Sequence, residues 1–422
     1  MCWSRLRPLL LKLSRLLNYS RKVHDVHAIT PADFPWFKYS DYTFSLGLMH
    51  GDDAFLSGHS ASEHDPESGR MVVKGDMTAQ ARTAYSKIER ILGAEGLTFA
   101  DVTHVVENVT VQGILDYEAA KSVREERFGA HQPALTTVVV ERLLRPAALI
   151  EIEVHASRGG GKLLMNEPDA GWSRSTVREG HDGSVFLPTM LPVDAKGDVV
   201  HQGDFVAQYR YCLEKAGALL DRIGMNLGQA VTTYDFSTPA TRDVYPKSGR
   251  ARKELLGGAG VFPGAGGILM SRLHHPDILI ALDITASRHE LTAVNPGWKR
   301  YDTLTYTPGV LAGDTLYMSG FASLDMESQQ ALHPGNVVAQ AEVTYGAVLE
   351  VLHAAGATAA DLVSTIEFVT PEGLPEYRGV AGVRQSLLRA PWPASTGALC
   401  AALLRPEFML EVFPMAVLNA HT

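Results

Sequence analysis

Cysteine is nearly absent. Cys2, Cys212 and Cys400 are the whole complement of a 422-residue chain, and they lie far apart with no CxxC pair and no Cys/His ligand spacing. A disulfide scaffold and a structural zinc site are therefore not expected, and a reducing, cytoplasmic compartment fits best. Long apolar runs are missing as well. No stretch supplies the ~18 or more residues that a spanning helix needs, which argues against an integral membrane protein. An excess of positive charge is also lacking: the net charge is −9, so nucleic acid is not an expected partner. What remains is an ordinary globular composition, 45% hydrophobic and 20% charged, which excludes wholesale disorder. At ~150 residues per domain, the length suggests about three domains.

The first residues stand apart. Arg5, Arg7, Lys12, Arg15, Arg21 and Lys22 face the single acid Asp25, and Leu6, Leu9, Leu10, Leu13, Leu16 and Leu17 recur at helical spacing. This predicts a short basic amphipathic helix within residues 1–27. Lys12 and Arg15 interrupt the apolar core that a secretory signal would need. A docked or partly disordered helix, a membrane-surface segment and an organellar targeting peptide all remain open.

Beyond that segment the chain repeats itself. Three stretches share one grammar, each opening near a tryptophan (Trp36, Trp172, Trp298). A short apolar strand follows, then a glutamine (Gln80, Gln208, Gln340) that starts a helical pattern. In the first copy Ala81, Tyr85, Ile88 and Leu92 form the buried stripe of that helix, and Gly93 or Gly96 ends it. An acid stands 27 residues after each glutamine (Glu107, Asp235, Glu367), a threonine 30 after (Thr110, Thr238, Thr370) and an arginine 44 after (Arg124, Arg252, Arg384). Agreement at four positions in three copies marks a domain-sized internal repeat. Loose composition at Gly159-Gly160-Gly161 and Asn295-Pro296-Gly297 places the units at 28–160, 161–294 and 295–422.

Each unit is expected to run hairpin, helix, strand, helix and then two strands. In the first copy these are a strand over Val102–Val109, a helix over Asp116–Phe128, and closing strands over Thr136–Val140 and Leu149–Val154, with Pro146 in the turn between them. A sheet with both helices on one face is an α+β layer, and its other face needs cover. Three such sheets in one chain can cover one another.

Residues Phe55-Leu56-Ser57-Gly58, Gln80, Ala100-Asp101-Val102, Pro133-Ala134, Arg142 and Leu149-Ile150-Glu151-Ile152-Glu153 resemble the Rid family, the YjgF-like reactive-intermediate deaminases. Copy three keeps Pro393-Ala394 and Leu404-Arg405-Pro406-Glu407, and copy two has drifted furthest. The resemblance implies three chorismate-mutase-like, Rid-like domains forming a single-chain pseudo-trimer, with sheets inside, helices outside and sites in the clefts between units. No higher assembly is then required, beyond a weak oligomer at most. It also implies cofactor-independent hydrolysis of a reactive enamine or imine that bears a carboxylate, with no metal.

In that family an arginine holds the substrate carboxylate and an acid stands near the reacting water. The resemblance carries the arginine onto Arg142 and Arg272, with Ala402 in copy three. It carries the acid onto Glu153 and Asp283, with Phe413 in copy three. Asn108 occupies a position near the cleft where the other copies have Phe236 and Phe368. The chemistry suits these types: a guanidinium fork grips a carboxylate, and one acid/base group can orient water and move a proton. Strand alternation turns Ile150, Ile152 and Val154 toward the helices, and Glu151, Glu153 and His155 away from them. The competing reading is an ion pair that merely holds units together. The recurring Arg124, Arg252 and Arg384, and the acids Glu107, Asp235 and Glu367, persist where site residues do not, which favours a structural role or a solvated face. Arg145 and His275 are expected in exposed turns.

Other enzyme classes fit less well. Cyanuric-acid hydrolases and barbiturases also carry three such units, but their recurring Ser-Lys pairs have no counterpart here. Gly264-Ala265-Gly266-Gly267 lacks the Lys-Ser/Thr of a P-loop and leads into a strand, so close packing accounts for it better. Two alternatives stay open: a biosynthetic tailoring enzyme acting on a different C=N or enol substrate, and a ligand-binding or assembly module with decayed sites.

Overall fold

The computed structural model describes residues 26–34, 37–167 and 175–419. The basic N-terminal segment expected to form a helix, Trp36 and Trp172 lie outside the described residues. Three mixed sheets follow one another along the chain, each with the same core order. In the first sheet the strands Val26–Ala28, Gly47–His50 and Asp53–Ser60 lead antiparallel to Ile150–Ser157, then to Val102–Thr110, and finally to Ala134–Val140, which is parallel to its neighbour. The second sheet repeats this with Ser184–Phe186, Ile280–Ser287, Ala230–Ser237 and Gly264–Leu269, and the third with Thr315–Met318, Leu410–Val417, Leu362–Val369 and Ala394–Leu399. The strand Leu291–Val294, just before the expected start of the third unit, hydrogen-bonds into the third sheet.

Two helices cover one face of every sheet: Met77–Ala94 with Tyr117–Phe128, Phe205–Arg222 with Ser248–Leu256, and Val337–Ala354 with Val380–Leu387. Asp76, Asp204 and Asn336 cap the long helices by accepting from the backbone N–H three residues on, which satisfies an otherwise orphaned donor. The stripe Ala81, Tyr85, Ile88 and Leu92 is fully buried against Ile150, Ile152 and Val154. Gly93 lies inside the helix, and the turn beyond it relies on Gly96 at φ +67°. The repeated glutamine clamps the start of the closing strand. Gln80 accepts from Leu149 N–H at 2.7 Å and donates to Ala147 O at 3.1 Å, and Gln208 and Gln340 do the same with Leu279 and Asp277, and with Met409 and Glu407.

The opposite faces of the sheets meet at the centre of the molecule. One apolar cluster draws Val138, Val140 and Leu143 from the first unit, Phe236, Ile268 and Met270 from the second, and Phe368, Leu403 and Phe413 from the third. Short arms also cross between units. Arg142–Leu143 extends the third sheet beside Ala394–Leu399, and Ala402–Leu403 extends the second beside Gly264–Leu269. Backbone pairing therefore joins sheets that hydrophobic contact already packs together. Among the described residues no helix is long and apolar enough to cross a membrane.

The second unit departs most in its outer hairpin, where the strand Ser184–Phe186 is only three residues long. Pro188 has no N–H to give to the ladder, and a single bridge, Met190 to Leu282, replaces the missing pairs.

Candidate active site

The acids carried over by the resemblance meet at the centre rather than in separate clefts. Glu153 and Asp283 line one small cavity of about 130 Å³ with His104, Tyr234 and Phe413, so all three units contribute. Asn108 donates to Glu153 Oε1 at 2.7 Å. Thr136 Oγ1 donates to Asp283 Oδ1 at 3.0 Å, and His104 Nε2 lies 3.0 Å from the same hydroxyl. Burial pushes the Glu153 carboxyl up to about 7 and the Asp283 carboxyl up to about 6, because a charge leaving water for a low-dielectric interior is disfavoured.

The two arginines do not join them. Arg142 sits in the crossing arm, opposite Leu399, and its buried Nε has no hydrogen-bond partner. Arg272 lies in the turn after Gly264–Leu269, and its Nε reaches only Leu273 O at 3.4 Å. Neither lines the central cavity. The expected Arg142/Glu153 and Arg272/Asp283 pairs are thus separated. The physical reason is local: both arginines lie where the chain leaves its own sheet, whereas both acids lie inside closing strands.

A larger cavity of about 480 Å³ opens between the second and third units. Its floor is the glycine-rich strand Gly264–Leu269. A Cβ at Gly267 would come within 2.6 Å of Tyr245 Oη and 2.7 Å of Leu404 Cδ1, and one at Gly266 would overlap the Phe413 ring. The absent side chains leave both the packing and the room. Its walls include Arg300, Tyr301 and Tyr306 from one side, Tyr245 and Arg252 from another, and Arg405 with Glu411 from the third unit's closing turn and strand.

Glu411 is buried, and burial alone pushes its carboxyl up to about 8. Arg300 donates to Tyr306 Oη at 3.1 Å and stacks over the Tyr301 ring, and its Nε is buried without a partner. Arg405 donates to Gln329 O at 2.8 Å and lies over Phe408, with only the half-exposed Glu407 nearby at 3.5 Å. A neutral acid and three arginines, Arg252 among them, therefore face one chamber.

Behind these chambers each unit holds a buried polar network that accounts for the repeated acid and arginine. Glu107 pairs with Arg124 at 2.5 Å and accepts from Tyr85 at 2.6 Å and from Tyr117. Glu367 pairs likewise with Arg384, Tyr345 and Tyr377. These arginines are buried, not solvated. In the second unit the acid is one methylene shorter: Asp235 keeps its tyrosines, Tyr209 and Tyr245, at 2.7 Å each, while Arg252 turns to Thr233 at 2.7 Å and to Thr305 O at 3.2 Å. Arg252 thereby reaches the wall of the 480 Å³ cleft.

The profile described as Endoribonuclease L-PSP matches residues 39–158 and again 301–418. The chain belongs to the Endoribonuclease L-PSP family. This is the Rid and RutC family of the resemblance, present here as a tandem repeat. A RutC family protein of Pyrococcus horikoshii is 34% identical over 113 residues, 27% of this chain and 85% of the relative. A RutC family protein of Sulfurisphaera tokodaii is 33% identical over 116 residues, 28% of this chain and 88% of the relative. Among solved structures, RidA from an Antarctic Psychrobacter is 26% identical with a TM-score of 0.26, covering 28% of this chain and 90% of its own. A chorismatase structure is 14% identical with a TM-score of 0.49, covering 75% of this chain and 93% of its own. The second unit falls outside both profile matches, although its sheet repeats the core strand order of the other two.

Within this Endoribonuclease L-PSP family chain, Glu411, Arg300 and Arg405 were missed by sequence reasoning. A signal existed for two of them. The third copy keeps a glutamate at the first acid position of the first copy's Ile150-Glu151-Ile152-Glu153, and Arg405 repeats Arg145. Glu151 itself is buried where the third and first units meet, raised to about 8 by burial, with Glu153 adding to the rise and Lys87 and Arg145 opposing it. Arg300 had no counterpart pattern to reveal it.

Proposed function

We propose that the chain is a small-molecule hydrolase of the Rid type, a single-chain counterpart of a trimer, whose working cleft lies between the second and third units. Its substrate carries one or two carboxylates beside a polarised C=N or enol group. The observation that carries this reading is Glu411, a carboxyl held protonated near neutral pH in a chamber that also presents Arg300 and Arg405.

The roles follow from charge. Arg300 and Arg405 hold substrate carboxylates, since guanidinium donors are strong and directional toward such oxygens. The Glu411 carboxylic acid gives its proton to the imine nitrogen, or to the enol carbon in an enol-type substrate. The carbon that becomes electron-poor accepts water, and the Glu411 carboxylate takes back the proton that the water sheds. For an imine this gives a carbinolamine, whose nitrogen Glu411 then protonates. The C–N bond breaks as the hydroxyl oxygen forms the carbonyl and returns its proton to Glu411, and the sum is C=NH plus water giving C=O and ammonia. Enclosure strengthens each electrostatic contact and limits competing solvent. An acid whose pKa lies close to working pH is well placed for proton transfer in both directions.

The cleft volume favours a substrate larger than a four-carbon imino acid, and Arg300 and Arg405, with Arg252 beside them, favour a dicarboxylate. The test is ammonia release from 2-iminobutyrate, together with a dicarboxylate imine and a dicarboxylate enol ether, using purified full-length chain. Turnover that is lost in Glu411→Gln and weakened in Arg300→Met supports the reading. Turnover that survives Glu411→Gln, or is lost instead with Glu153→Gln, would move the chemistry to the central cavity and refute the assignment.

A further inference from the structure

Away from both chambers' acids, one end of the molecular centre holds a histidine facing two aspartates from different units. His155 closes the first unit's strand Ile150–Ser157, Asp53 opens its strand Asp53–Ser60, and Asp182 belongs to the turn before Ser184–Phe186 in the second unit. His155 Nε2 lies 4.0 Å from Asp53 Oδ1 and 3.9 Å from Asp182 Oδ2, and one donor atom from each residue falls within 4.8 Å of the other two. All three are buried, with side-chain exposures of 8%, 10% and 2%. His155 Nε2 has no hydrogen-bond partner.

The surroundings fix which way that nitrogen points. Thr103 Oγ1 donates to His155 O at 3.1 Å and lies 2.6 Å from His155 Nδ1. Thr103 thus occupies Nδ1, and Nε2 is the ring nitrogen left facing the aspartates. Phe55 and Phe186 hold the ring from its sides, with centroids at 4.7 and 5.0 Å. The carboxylates are oriented too. Ser157 Oγ donates to Asp53, and Ser184 donates to Asp182 through N–H at 3.0 Å and through Oγ at 2.5 Å. Gly180 covers the group, and a Cβ there would come within 2.9 Å of the imidazole and 2.7 Å of Asp182 Oδ1. Among the described residues no lysine or arginine forms an ion pair with either aspartate.

An unpartnered imidazole nitrogen beside two buried carboxylates needs a positive charge or a proton among them, and a metal ion supplies that charge while using all three donors. Donors sharing one tetrahedral ion at about 2.1 Å sit about 3.4 Å apart, so the 3.9 and 4.0 Å histidine–aspartate spacings close with shifts of about 0.5 Å and the two carboxylates close by up to about 1.4 Å. We infer that Asp53, His155 and Asp182 bind a divalent transition-metal ion of the zinc class, as a buried structural site that pins the second unit's turn to the first unit's sheet. Thr103 is its positioning residue, because a hydrogen bond to the second imidazole nitrogen sets the tautomer and orientation of a metal-ligating histidine. The site is particular to this junction: the positions matching His155 are Thr285 in the second unit and Met415 in the third, and those matching Asp53 are Ser184 and Thr315.

The test is equilibrium dialysis of the EDTA-stripped full-length chain against Zn²⁺, with metal counted by mass spectrometry. One ion retained per chain, with Tm raised by about 3 °C in excess Zn²⁺, is expected. Retention is expected to vanish in His155→Gln and Asp182→Asn, and to weaken about 10–100-fold in Thr103→Val, which leaves all three ligands in place. No retention by the wild type, or retention unchanged in both ligand variants, overturns the site. Should the ligand variants fail to fold, the wild-type Co²⁺ complex decides. Intense visible bands of a four-coordinate ion support the site, and the pale spectrum of aqueous octahedral Co²⁺ overturns it.

Discussion

The cleft between the second and third units and the cavity at the molecular centre are walled by the same closing strand, yet they differ in kind. Glu411 faces the cleft and Phe413, two residues on, faces the centre. Alternate residues on one face of a strand lie about 6.8 Å apart, enough to serve different chambers. Both chambers hold carboxyls raised by burial, so a raised pKa does not tell them apart. What does is company and space. Glu411 shares about 480 Å³ with three arginines, Arg252, Arg300 and Arg405, whereas Glu153 and Asp283 share about 130 Å³ with amide, hydroxyl and aromatic groups. The first arrangement receives an anion; the second stores buried polarity.

Substitutions can break that contrast or sharpen it. The largest effect is expected at Glu411: its replacement by Gln should lower kcat/KM by about 10²–10⁴-fold. In the wild type, kcat/KM should fall as pH rises through about 8, as the acid form disappears. A flat profile across that range would place the proton elsewhere. Next, Arg300→Met or Arg405→Met should raise KM by about 10–100-fold, the worth of one charged hydrogen bond; steady-state kinetics with each variant measures it.

Filling the cleft floor comes third. Gly267→Ala must displace Tyr245 or Leu404 and should cost about 1–3 kcal/mol in urea unfolding. The smallest effect on turnover, and an opposite one on stability, belongs to the centre. Glu153→Gln should leave kcat/KM within about 3-fold of wild type, the whole loss expected of the acid being about 10² or more. The folded pKa of Glu153 is raised, so its contribution is fully present below its unfolded value near 4.5 and is lost as pH rises through about 7. The Gln variant should therefore be more stable than wild type by about 2–3 kcal/mol at pH 8, with the gain vanishing near pH 4. Urea titrations at both pH values would show it, and a gain that persists at pH 4 would contradict a buried charge as its source.

The order of elements was legible because periodicity and repetition reinforce each other. Ala81, Tyr85, Ile88 and Leu92 announce a helix face, and the glutamines register three copies whose hydrogen bonds turn out to be the same clamp. The site was legible only in type. Alternation sent Glu151 and Glu153 to the same face but could not say that one step along that face changes chamber. Arg142 and Arg272 matched in sequence, and nothing local reveals that the chain there crosses into a neighbouring sheet. Arg300 comes from a loop with no periodicity, and Asp53, His155 and Asp182 have no motif spacing; they meet only because two units pack.

The trio at the centre has a further consequence for how such a protein can change. Around the axis of an assembly of identical chains, every substitution arrives three times, and three carboxyls or three phenyl rings would have to share one small space. Here the matching positions hold Glu153, Asp283 and Phe413, and the ring of Phe413 packs edge-on against Tyr234 and Phe368 at 4.5 and 5.6 Å. Joining the copies in one gene lifts the requirement that neighbours be alike. In this chain one copy carries a ring at Phe413, another carries the glycine-rich strand Gly264–Leu269, and the large cleft opens where those two copies meet.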